Sequence, residues 1–277
     1  MSIHWINGKK NHLLSIDDRS IHFGDGFFTT IMVKNREPLF IDDHLKRLRI
    51  SPDLLFIDGV NWKNVKKGIF NAASYNEDDL AVIKVIISRG ECKRGYWKTC
   101  LPFPNLIISL TEYPEDYHKK RKNGIDLTFS TFRISRNHRL SRIKHLNRLE
   151  QVLIKRESVS YEFDECIVLD TEGNLVGCCA SNIFFRTMDR VCTPDLFYSG
   201  VEGITRGRII DILKSTRYRI VYTNDSLKEF LSSEEIFISN SLMPIFTINR
   251  ILSHDRKRTI WKKKSRDLFD FLVPIIL

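Results

Sequence analysis

Aliphatic runs separated by helix-forming segments constrain the fold of this chain of 277 residues most strongly. Residues 79–88 and 105–110 each hold a continuous apolar run, which is typical of a well-buried strand. Residues 125–134 and 236–239 have the same strand-like character further along the chain. The pattern therefore predicts a protein of the α/β class.

A change in composition divides the chain near its middle. Residues 112–124, with the sequence EYPEDYHKKRKNG, are highly charged and nearly free of aliphatic side chains. Such a segment is typical of an interdomain linker or an exposed crossover. We therefore predict domains at residues 1–112 and 125–277, joined by a linker at 113–124.

Two predicted helices carry residues of interest. An Asp that can cap a helix follows a strand-like end in residues 40–48, and this segment contains Arg47. Residues 145–157 predict a second helix with an apolar stripe at helical spacing. The stripe consists of Leu146, Leu149, Val152 and Leu153.

Two further elements are predicted in the second half of the chain. Residues 166–169 and 178–185 flank a turn at 171–174, where Gly and Asn tolerate positive φ, and this arrangement predicts a β-hairpin. Gly203 is predicted to open a helix that runs from Ile204 to about Ser215.

The net charge of +10, with a pI near 9.3, is the unusual bulk property of the chain. The basic runs at 118–122, 256–258 and 262–264 are short, separated and not interleaved with stacking aromatic residues. No nucleic-acid motif and no apolar stretch of membrane-spanning length is present. The charge therefore predicts a solvated basic surface or an anionic small-molecule substrate, and neither nucleic-acid nor membrane binding.

The six cysteines form no C-x-x-C pair, and the eight histidines do not pair at metal-ligand spacing. No metal site is therefore predicted. The first ten residues lack the apolar core and cleavage site of a signal peptide. We expect a cytoplasmic protein with reduced thiols.

Three positions suggest a phosphate-bearing ligand, although each has an ordinary alternative. Free N–H groups where Gly203 leads into Ile204 and Thr205 would form an anion site, but many helices begin in this way. Arg47 offers a planar fork for phosphate, or it is one solvated arginine among many. Lys144, at the foot of the predicted helix, suits Schiff-base chemistry if it is partly desolvated, or it simply reaches to water along its aliphatic stem.

The order of short motifs resembles that of the fold-type IV pyridoxal-phosphate enzymes. This group includes branched-chain and D-amino-acid aminotransferases and the aminodeoxychorismate lyases. The matching segments cover nearly the whole chain: ING at 6–8, FGDGFFTT at 23–30, HLKRL at 44–48, SRG at 88–90, IKHLNRLEQ at 143–151, SNIF at 181–184, GITR at 203–206 and NSLMP at 240–244. KHLNRLEQ, the doublet Cys178-Cys179 and NSLMP resemble the lyases more than the aminotransferases.

The resemblance implies pyridoxal phosphate as cofactor and a lyase that converts 4-amino-4-deoxychorismate to 4-aminobenzoate and pyruvate in folate biosynthesis. Lys144 would carry the cofactor as a Schiff base and act as the general base. Arg47 would hold the cofactor phosphate together with Ile204, Thr205 and Asn240 or Ser241. The substrate-side residues implied are Arg94, Tyr96, Thr29 and Thr30.

The resemblance also implies a smaller N-terminal α/β domain, a barrel-like C-terminal domain and a cofactor between them. A homodimer is implied, and the labile substrate would come from an aminodeoxychorismate synthase. The rival functions are a fold-type IV aminotransferase and a catalytically impaired relative.

One position departs from the family pattern. The family usually has a glutamate that pairs with the pyridine nitrogen, and this chain has Gly177 there. Without the carboxylate, protonation of that nitrogen becomes less favourable. An elimination that ends in an aromatic ring can proceed with a weaker electron sink, and Gly177→Glu is then expected to raise turnover or shift the cofactor spectrum.

Overall fold

The computed structural model describes residues 2–92, 95–96, 103–223 and 227–276. The chain forms two compact units. Unit 1 comprises Met1–Pro114 and Ile143–Asn147, and unit 2 comprises Glu115–Arg142 and Arg148–Leu277. The chain therefore enters unit 2, returns to unit 1 for the five residues around Lys144, and then re-enters unit 2.

Unit 1 is an antiparallel sheet with two long helices on it. Its elements are β1 (Ile3–Ile6), β2 (Lys9–Lys10), α1 (Arg19–Phe23), β3 (Gly26–Lys34), β4 (Glu37–Pro38), α2 (Ile41–Leu55), α3 (Trp62–Ser74), β5 (Leu80–Ser88) and β6 (Asn105–Glu112). Among the described residues the strand order is β2-β1-β6-β5-β3-β4. Alternate residues of β3, such as Phe27 and Ile31, pack with Leu48 of α2 and Ile69 of α3 in one buried core.

Unit 2 is a larger mixed sheet with helices on its faces. Its elements are α4 (Asp116–Asn123), β7 (Ile125–Ile134), α5 (Leu149–Ser160), β8 (Glu165–Asp170), β9 (Leu175–Cys178), β10 (Asn182–Thr187), β11 (Arg190–Pro194), α6 (Ile204–Lys214), β12 (Arg219–Thr223), α7 (Leu227–Ser232), β13 (Glu235–Ser239), β14 (Phe246–Leu252), β15 (Thr259–Lys262) and α8 (Asp267–Ile276). In the described part of the unit the order is β12-β11-β10-β13-β14-β7-β8-β9, with β15 beside β14.

The core of unit 2 lies on both faces of this sheet. Side chains of α6 and α8, including Ile209 and Phe269, pack with Phe184 and Phe237. Ile167, Ile183 and Ile238 belong to a second cluster that includes Phe230 of α7. Ile154 of α5 packs with Cys166 and Val168 in a third cluster. Of the strands predicted from aliphatic runs, β13 is thus buried on both faces.

The segment predicted as a linker or exposed crossover at residues 113–124 contains the change of units between Pro114 and Glu115, but most of it forms the helix α4. Helix α4 belongs to unit 2, and the ring of its residue Tyr117 packs on that of Phe246. Lys120 pairs with Asp116 one turn earlier and with Asp164 at 2.8 Å. Charged side chains on an exposed helix satisfy one another and water, so the composition of this segment did not require an unstructured linker.

The helix predicted at residues 145–157 begins later than expected. Helix α5 starts at Leu149, because the main chain of the preceding residues pairs with β3 of unit 1. Its apolar stripe is not buried either: Leu149 is 70% exposed and Val152 is 61% exposed. The buried positions of α5 are Ile154 and Ser158.

The predicted hairpin is only partly correct. Strands β8 and β9 form an antiparallel pair around a turn at residues 171–174, where the Asp170 carboxylate accepts from the amides of Glu172 and Asn174. The predicted second strand is broken, because β9 ends at Cys178 and β10 pairs with β11 and β13 instead.

The expectation of reduced thiols is wrong for Cys92, which takes part in a disulfide, whereas Cys166, Cys178, Cys179 and Cys192 are not disulfide-bonded. No helix within the described ranges is long and apolar enough to cross a membrane.

Candidate active site

Lys144 lies on an extended segment that is hydrogen-bonded to the edge of β3. The amide of Phe28 donates to the Lys144 carbonyl at 2.9 Å, and the amide of Leu146 donates to the Gly26 carbonyl at 3.0 Å. Its Nζ lies 4.6 Å from the centroid of the Phe28 ring, and the residue is partly exposed. A lysine held in this way has a fixed main chain and an amine that lies over an aromatic face.

Arg47 lies on α2, on the face that packs against β3. Its Nη2 donates to the hydroxyl of Thr29, and its Nε is buried. Burial lowers the pKa of Arg47 to about 10, because a guanidinium away from water loses solvation. A bound anion would offset this loss, so Arg47 has the environment of a phosphate ligand.

Thr29 and Thr30, both predicted to face the substrate, lie on opposite faces of β3. Thr29 is fully buried beneath α2, where its hydroxyl lies 2.6 Å from Nδ1 of His44. Thr30 is partly exposed on the other face, because side chains alternate along a strand. The two threonines therefore cannot share one role, and Thr29 supports Arg47.

In unit 2 the start of α6 has the features expected of an anion site. Gly203 is the N-cap residue and has no side-chain cap, so the first-turn N–H groups of Ile204 and Thr205 point out of the helix end. A Cβ at Gly203 would lie 2.0 Å from Oδ1 of Asn182. The Nδ2 of the same side chain donates to the Val201 carbonyl at 2.9 Å. Glycine is required here because the Asn182 side chain approaches the main chain.

The hydroxyl of Thr205 donates to the main-chain carbonyl of Asn240 at 3.0 Å. Thr205 therefore offers a phosphate its main-chain amide, and its hydroxyl proton is already used. The contact joins the start of α6 to the end of β13, which brings together the residues that were predicted to hold the phosphate in this unit.

The side chain of Asn240 is committed to building its own loop. Its Nδ2 donates to the Ala180 carbonyl and the Ser181 hydroxyl, each at 3.2 Å, and its Oδ1 accepts from the amides of Leu242 and Met243. Of the predicted pair, Asn240 is therefore the residue that shapes the loop, and a phosphate contact by Ser241 stays a prediction.

Of the two predicted substrate residues near position 95, Arg94 lies outside the described residues. Tyr96 is 87% exposed, and its ring lies 5.5 Å from that of Phe23. The main-chain oxygens of Gly95 and Tyr96 accept from the guanidinium of Arg19 at 2.9 and 3.1 Å. The side chain of Tyr96 is thus available to a ligand, while its main chain is fixed.

A sequence model of the amino-transferase class IV family matches residues 26–251. The chain belongs to the amino-transferase class IV family. It is 30% identical over 253 residues to an aminodeoxychorismate lyase from Vibrio harveyi, which covers 91% of this chain and 93% of that protein. It is also 25% identical to a putative branched-chain-amino-acid aminotransferase from Methanocaldococcus jannaschii, over 94% of this chain and 92% of that one.

The structure is similar to that of 4-amino-4-deoxychorismate lyase from Pseudomonas aeruginosa, with a TM-score of 0.88 and 27% identity. The match covers 98% of each chain. The expected fold, the mixed α/β architecture of fold-type IV enzymes, is therefore confirmed. Lys144 and Arg47 lie in two of the motifs on which the family resemblance rests, IKHLNRLEQ and HLKRL.

The glutamate that the resemblance implies at position 177 cannot simply be added to this backbone. Gly177 has φ +157°, and a Cβ there would lie 2.9 Å from the carbonyl oxygen of Ser181. That oxygen is held by the amide of Cys178 at 2.8 Å, which closes a tight turn. A side chain at position 177 therefore requires the main chain of this turn to shift.

A different acid, Glu165, lies beside this turn and was not found from the sequence. It is 3% exposed, and its carboxylate accepts from the amide of Ala180 at 3.1 Å and from the hydroxyl of Ser181 at 3.3 Å. Burial raises its pKa. Glu172, the acid nearest in sequence to Gly177 on the hairpin turn, instead pairs with Arg136 at 3.1 Å.

Sequence reasoning also missed His44 and Asp25. Both lie inside motifs that were recognised, HLKRL and FGDG, but a motif does not say which of its members contact one another. A buried contact between helix and strand, such as that between His44 and Thr29, has no signature in the spacing of the residues.

Proposed function

We propose that this class IV protein is a pyridoxal-phosphate-dependent lyase that converts 4-amino-4-deoxychorismate to 4-aminobenzoate and pyruvate. The placement of Lys144 carries the proposal: its main chain is fixed to β3 and its amine lies over the Phe28 ring. The similarity to two aminodeoxychorismate lyases favours this reaction over the others of the family.

The described residues suit pyridoxal phosphate. We propose that Lys144 binds the aldehyde carbon, and that the phosphate is held by Arg47 and by the amides of Ile204 and Thr205, with Ser241 beside them. The buried Nε of Arg47 and the uncapped start of α6 are the two features that favour a phosphate over an uncharged group.

When bound, the cofactor withdraws electrons from the amine-bearing carbon of the substrate. Lys144, in its neutral form, then takes the proton from that carbon as general base. The electron pair left behind forms a ring double bond while the neighbouring carbon–oxygen bond breaks. Enolpyruvate leaves with the electron pair of the broken carbon–oxygen bond and takes up a proton on carbon to become pyruvate, and the ring that remains is aromatic.

The basic surface of the chain agrees with an anionic substrate. The net charge of +10 raises the local concentration of a molecule with two carboxylates, and an arginine is the natural partner of such a group. We propose Arg94 and Tyr96 as the substrate-side residues, and the role of Thr30 stays a prediction.

A class IV aminotransferase is the second candidate. The similarity to the Methanocaldococcus jannaschii protein, over 94% of this chain, favours it. An aminotransferase would pass the amino group of an amino acid to a 2-oxo acid, whereas the lyase would release pyruvate without an amino acceptor. A catalytically impaired relative is the third candidate, because the carboxylate at position 177 is absent.

The assembly and location of the protein are also proposals. We propose a homodimer in the cytoplasm that takes its substrate from an aminodeoxychorismate synthase acting in folate biosynthesis. Light scattering on the purified protein tests the dimer, and a mass of one chain of 32.5 kDa would contradict it.

The reaction is tested with chorismate, glutamine and an aminodeoxychorismate synthase, with and without this protein loaded with pyridoxal phosphate. We expect 4-aminobenzoate and pyruvate in equal amounts, and no product with Lys144→Ala. Lys84→Ala is the matched control, because Nζ of Lys84 lies 5.0 Å from the centroid of the same Phe28 ring. Product formation by Lys144→Ala would contradict the role of this lysine.

The same preparation distinguishes the rivals. Transfer of an amino group from D-alanine or a branched-chain amino acid to 2-oxoglutarate, without pyruvate release from the chorismate mixture, would favour the aminotransferase. Binding of the cofactor without either reaction would favour the impaired relative.

A further inference from the structure

Asp25 lies at the centre of a three-way contact in unit 1. Its Oδ2 accepts from Nε of Arg19 and from Nε of Arg89, both at 2.7 Å, and its Oδ1 accepts from Nη2 of Arg89 at 3.1 Å. The side chain of Asp25 is 15% exposed, and those of Arg19 and Arg89 are 7% and 23% exposed. One carboxylate therefore orients two guanidinium groups that are largely removed from water.

The two Nη atoms of Arg89 bind the C-terminal end of α2, the helix that carries Arg47. Its Nη1 donates to the Phe56 carbonyl at 2.5 Å and its Nη2 to the Leu55 carbonyl at 2.8 Å. These oxygens are at the C-terminal end of α2, where carbonyls lack helical partners. Arg47 precedes Leu55 by eight residues, or about 12 Å of helix, so fixing this end fixes the position of Arg47 along β3.

The two Nη atoms of Arg19 bind a different segment, the main chain of Gly95 and Tyr96. Its Nη1 and Nη2 donate to the main-chain oxygens of Gly95 and Tyr96. This short segment includes Tyr96 and directly follows Arg94 in the sequence. Arg94 and Tyr96 are the two residues proposed to contact the substrate. A planar fork that spans two successive carbonyls fixes the direction of the main chain, which a lysine cannot do.

The residues on either side of Asp25 hold the Lys144 segment. The Gly24 carbonyl accepts from Nδ2 of Asn147 at 3.1 Å, and the Gly26 carbonyl accepts from the amide of Leu146 at 3.0 Å. The main chain around Asp25 is thus attached to the lysine segment, while its side chain is attached to the two arginines.

We propose that Asp25 is a positioning residue that divides its carboxylate between a cofactor arm, Arg89 on the end of α2, and a substrate arm, Arg19 on the Gly95–Tyr96 main chain. The substrate arm rests on the proposed function; the cofactor arm requires only that the chain binds pyridoxal phosphate. Each arm acts through another residue and does not touch a ligand.

Two conservative variants separate the arms. Arg89→Lys and Arg19→Lys each keep a positive charge beside Asp25 but lose the fork to the carbonyl oxygens. Loss of charge-assisted hydrogen bonds worth about 1.4 kcal/mol corresponds to about a tenfold change in a binding constant. We expect Arg89→Lys to raise the Kd for pyridoxal phosphate about tenfold, and Arg19→Lys to leave it within about twofold.

The opposite result is expected for the substrate. At saturating cofactor, Arg19→Lys should raise KM for 4-amino-4-deoxychorismate about tenfold with kcat within about threefold, and Arg89→Lys should leave KM within about twofold. Arg250→Lys is the control: Arg250 pairs with Asp126 at the surface of unit 2, and the variant should change neither constant.

A merely structural role would lower stability in both variants and shift both constants together. That outcome, or a KM effect from Arg89→Lys and a Kd effect from Arg19→Lys, overturns the proposal. Asp25→Asn should move both constants, and urea unfolding of each variant shows whether it is folded under the assay conditions.

If the wild-type protein forms no product, the proposed function fails and the positioning role is judged by two other readouts. The Kd for pyridoxal phosphate still tests Arg89. Hydrogen exchange at the amides of Gly95 and Tyr96 tests Arg19, since it should be faster in Arg19→Lys and unchanged in Arg89→Lys. Equal exchange in both variants overturns the substrate arm.

Discussion

Arg47 and His44, one helical turn apart on α2, are joined through a single hydroxyl of β3, that of Thr29. The guanidinium can only donate, so the Thr29 oxygen accepts from Arg47. The same oxygen lies 2.6 Å from Nδ1 of His44, to which it donates or from which it accepts according to the tautomer of the ring. One buried threonine thereby joins two side chains of α2.

Thr29→Val tests this connection, because valine has the shape of threonine without the hydroxyl. We expect a loss of about 1–3 kcal/mol in the free energy of unfolding, since buried polar groups lose a partner, and a weaker affinity for pyridoxal phosphate. Thr30→Val is the matched control on the other face of β3 and should change neither quantity by much. Equal effects of the two variants in urea unfolding and cofactor titration would contradict the assignment.

The strands could be predicted from the sequence more fully than the site. The aliphatic run of β5 predicts a largely buried strand, and six of its nine residues are buried. The start of α6 was predicted because Gly203 lies at its N-cap. The features of individual residues were therefore sufficient for these elements.

The remaining errors arise where distant residues decide the structure. Leu149 and Val152 have helical spacing, yet their face of α5 is exposed. Helix α5 also begins later than predicted, because the main chain before Leu149 pairs with β3. The roles of Asp25 and Glu165 depend on contacts with residues far apart in the sequence. Spacing alone does not contain that information.

The structure changes the expectation for Gly177→Glu. Because the backbone has φ +157° and a Cβ would lie 2.9 Å from the Ser181 carbonyl, any side chain at this position is strained. We now expect Gly177→Ala and Gly177→Glu each to lose about 1–3 kcal/mol in the free energy of unfolding. A gain in turnover for Gly177→Glu requires the turn to rearrange.

Gly207→Ala is the control for that experiment. Gly207 lies inside α6, and a Cβ there would meet nothing within 4 Å. Alanine is favoured over glycine in a helix, so this variant should gain about 0.5–1 kcal/mol. Urea unfolding of all three variants checks the signs, and a Gly177→Ala protein as stable as Gly207→Ala would show that the turn is not strained.

Gly203→Ala should weaken cofactor binding through Asn182. The new Cβ would lie 2.0 Å from Oδ1 of Asn182, so that side chain must move and give up its bond to the Val201 carbonyl. We expect a loss of about 1–2 kcal/mol in the free energy of cofactor binding or in the free energy of unfolding. In a double-mutant cycle with Asn182→Ala the two changes should cost less together than their sum, and strict additivity would count against this contact.

Because of Glu165, the free energy of unfolding is expected to fall as the pH rises, which is the opposite of the trend given by an acid whose pKa is lowered on folding. Burial raises its pKa above the ordinary value of 4.5, so the folded protein holds a proton in a range where the unfolded chain has lost it. Its stabilising contribution is complete below about pH 4.5 and is lost as the pH rises through the folded pKa. Glu165→Gln cannot ionise, so its free energy of unfolding should improve relative to wild type as the pH rises from about 4 to 8. Glu157→Gln should show the opposite trend in a lower window, falling in stability relative to wild type as the pH rises through about 4.5 and staying level above that, because hydrogen bonds from Ser130 and Thr131 outweigh partial burial and lower the pKa of Glu157. Urea unfolding from about pH 3 to 8 checks both variants, and parallel curves for the two would mean that the Glu165 carboxylate ionises as freely in the folded chain as in the unfolded one.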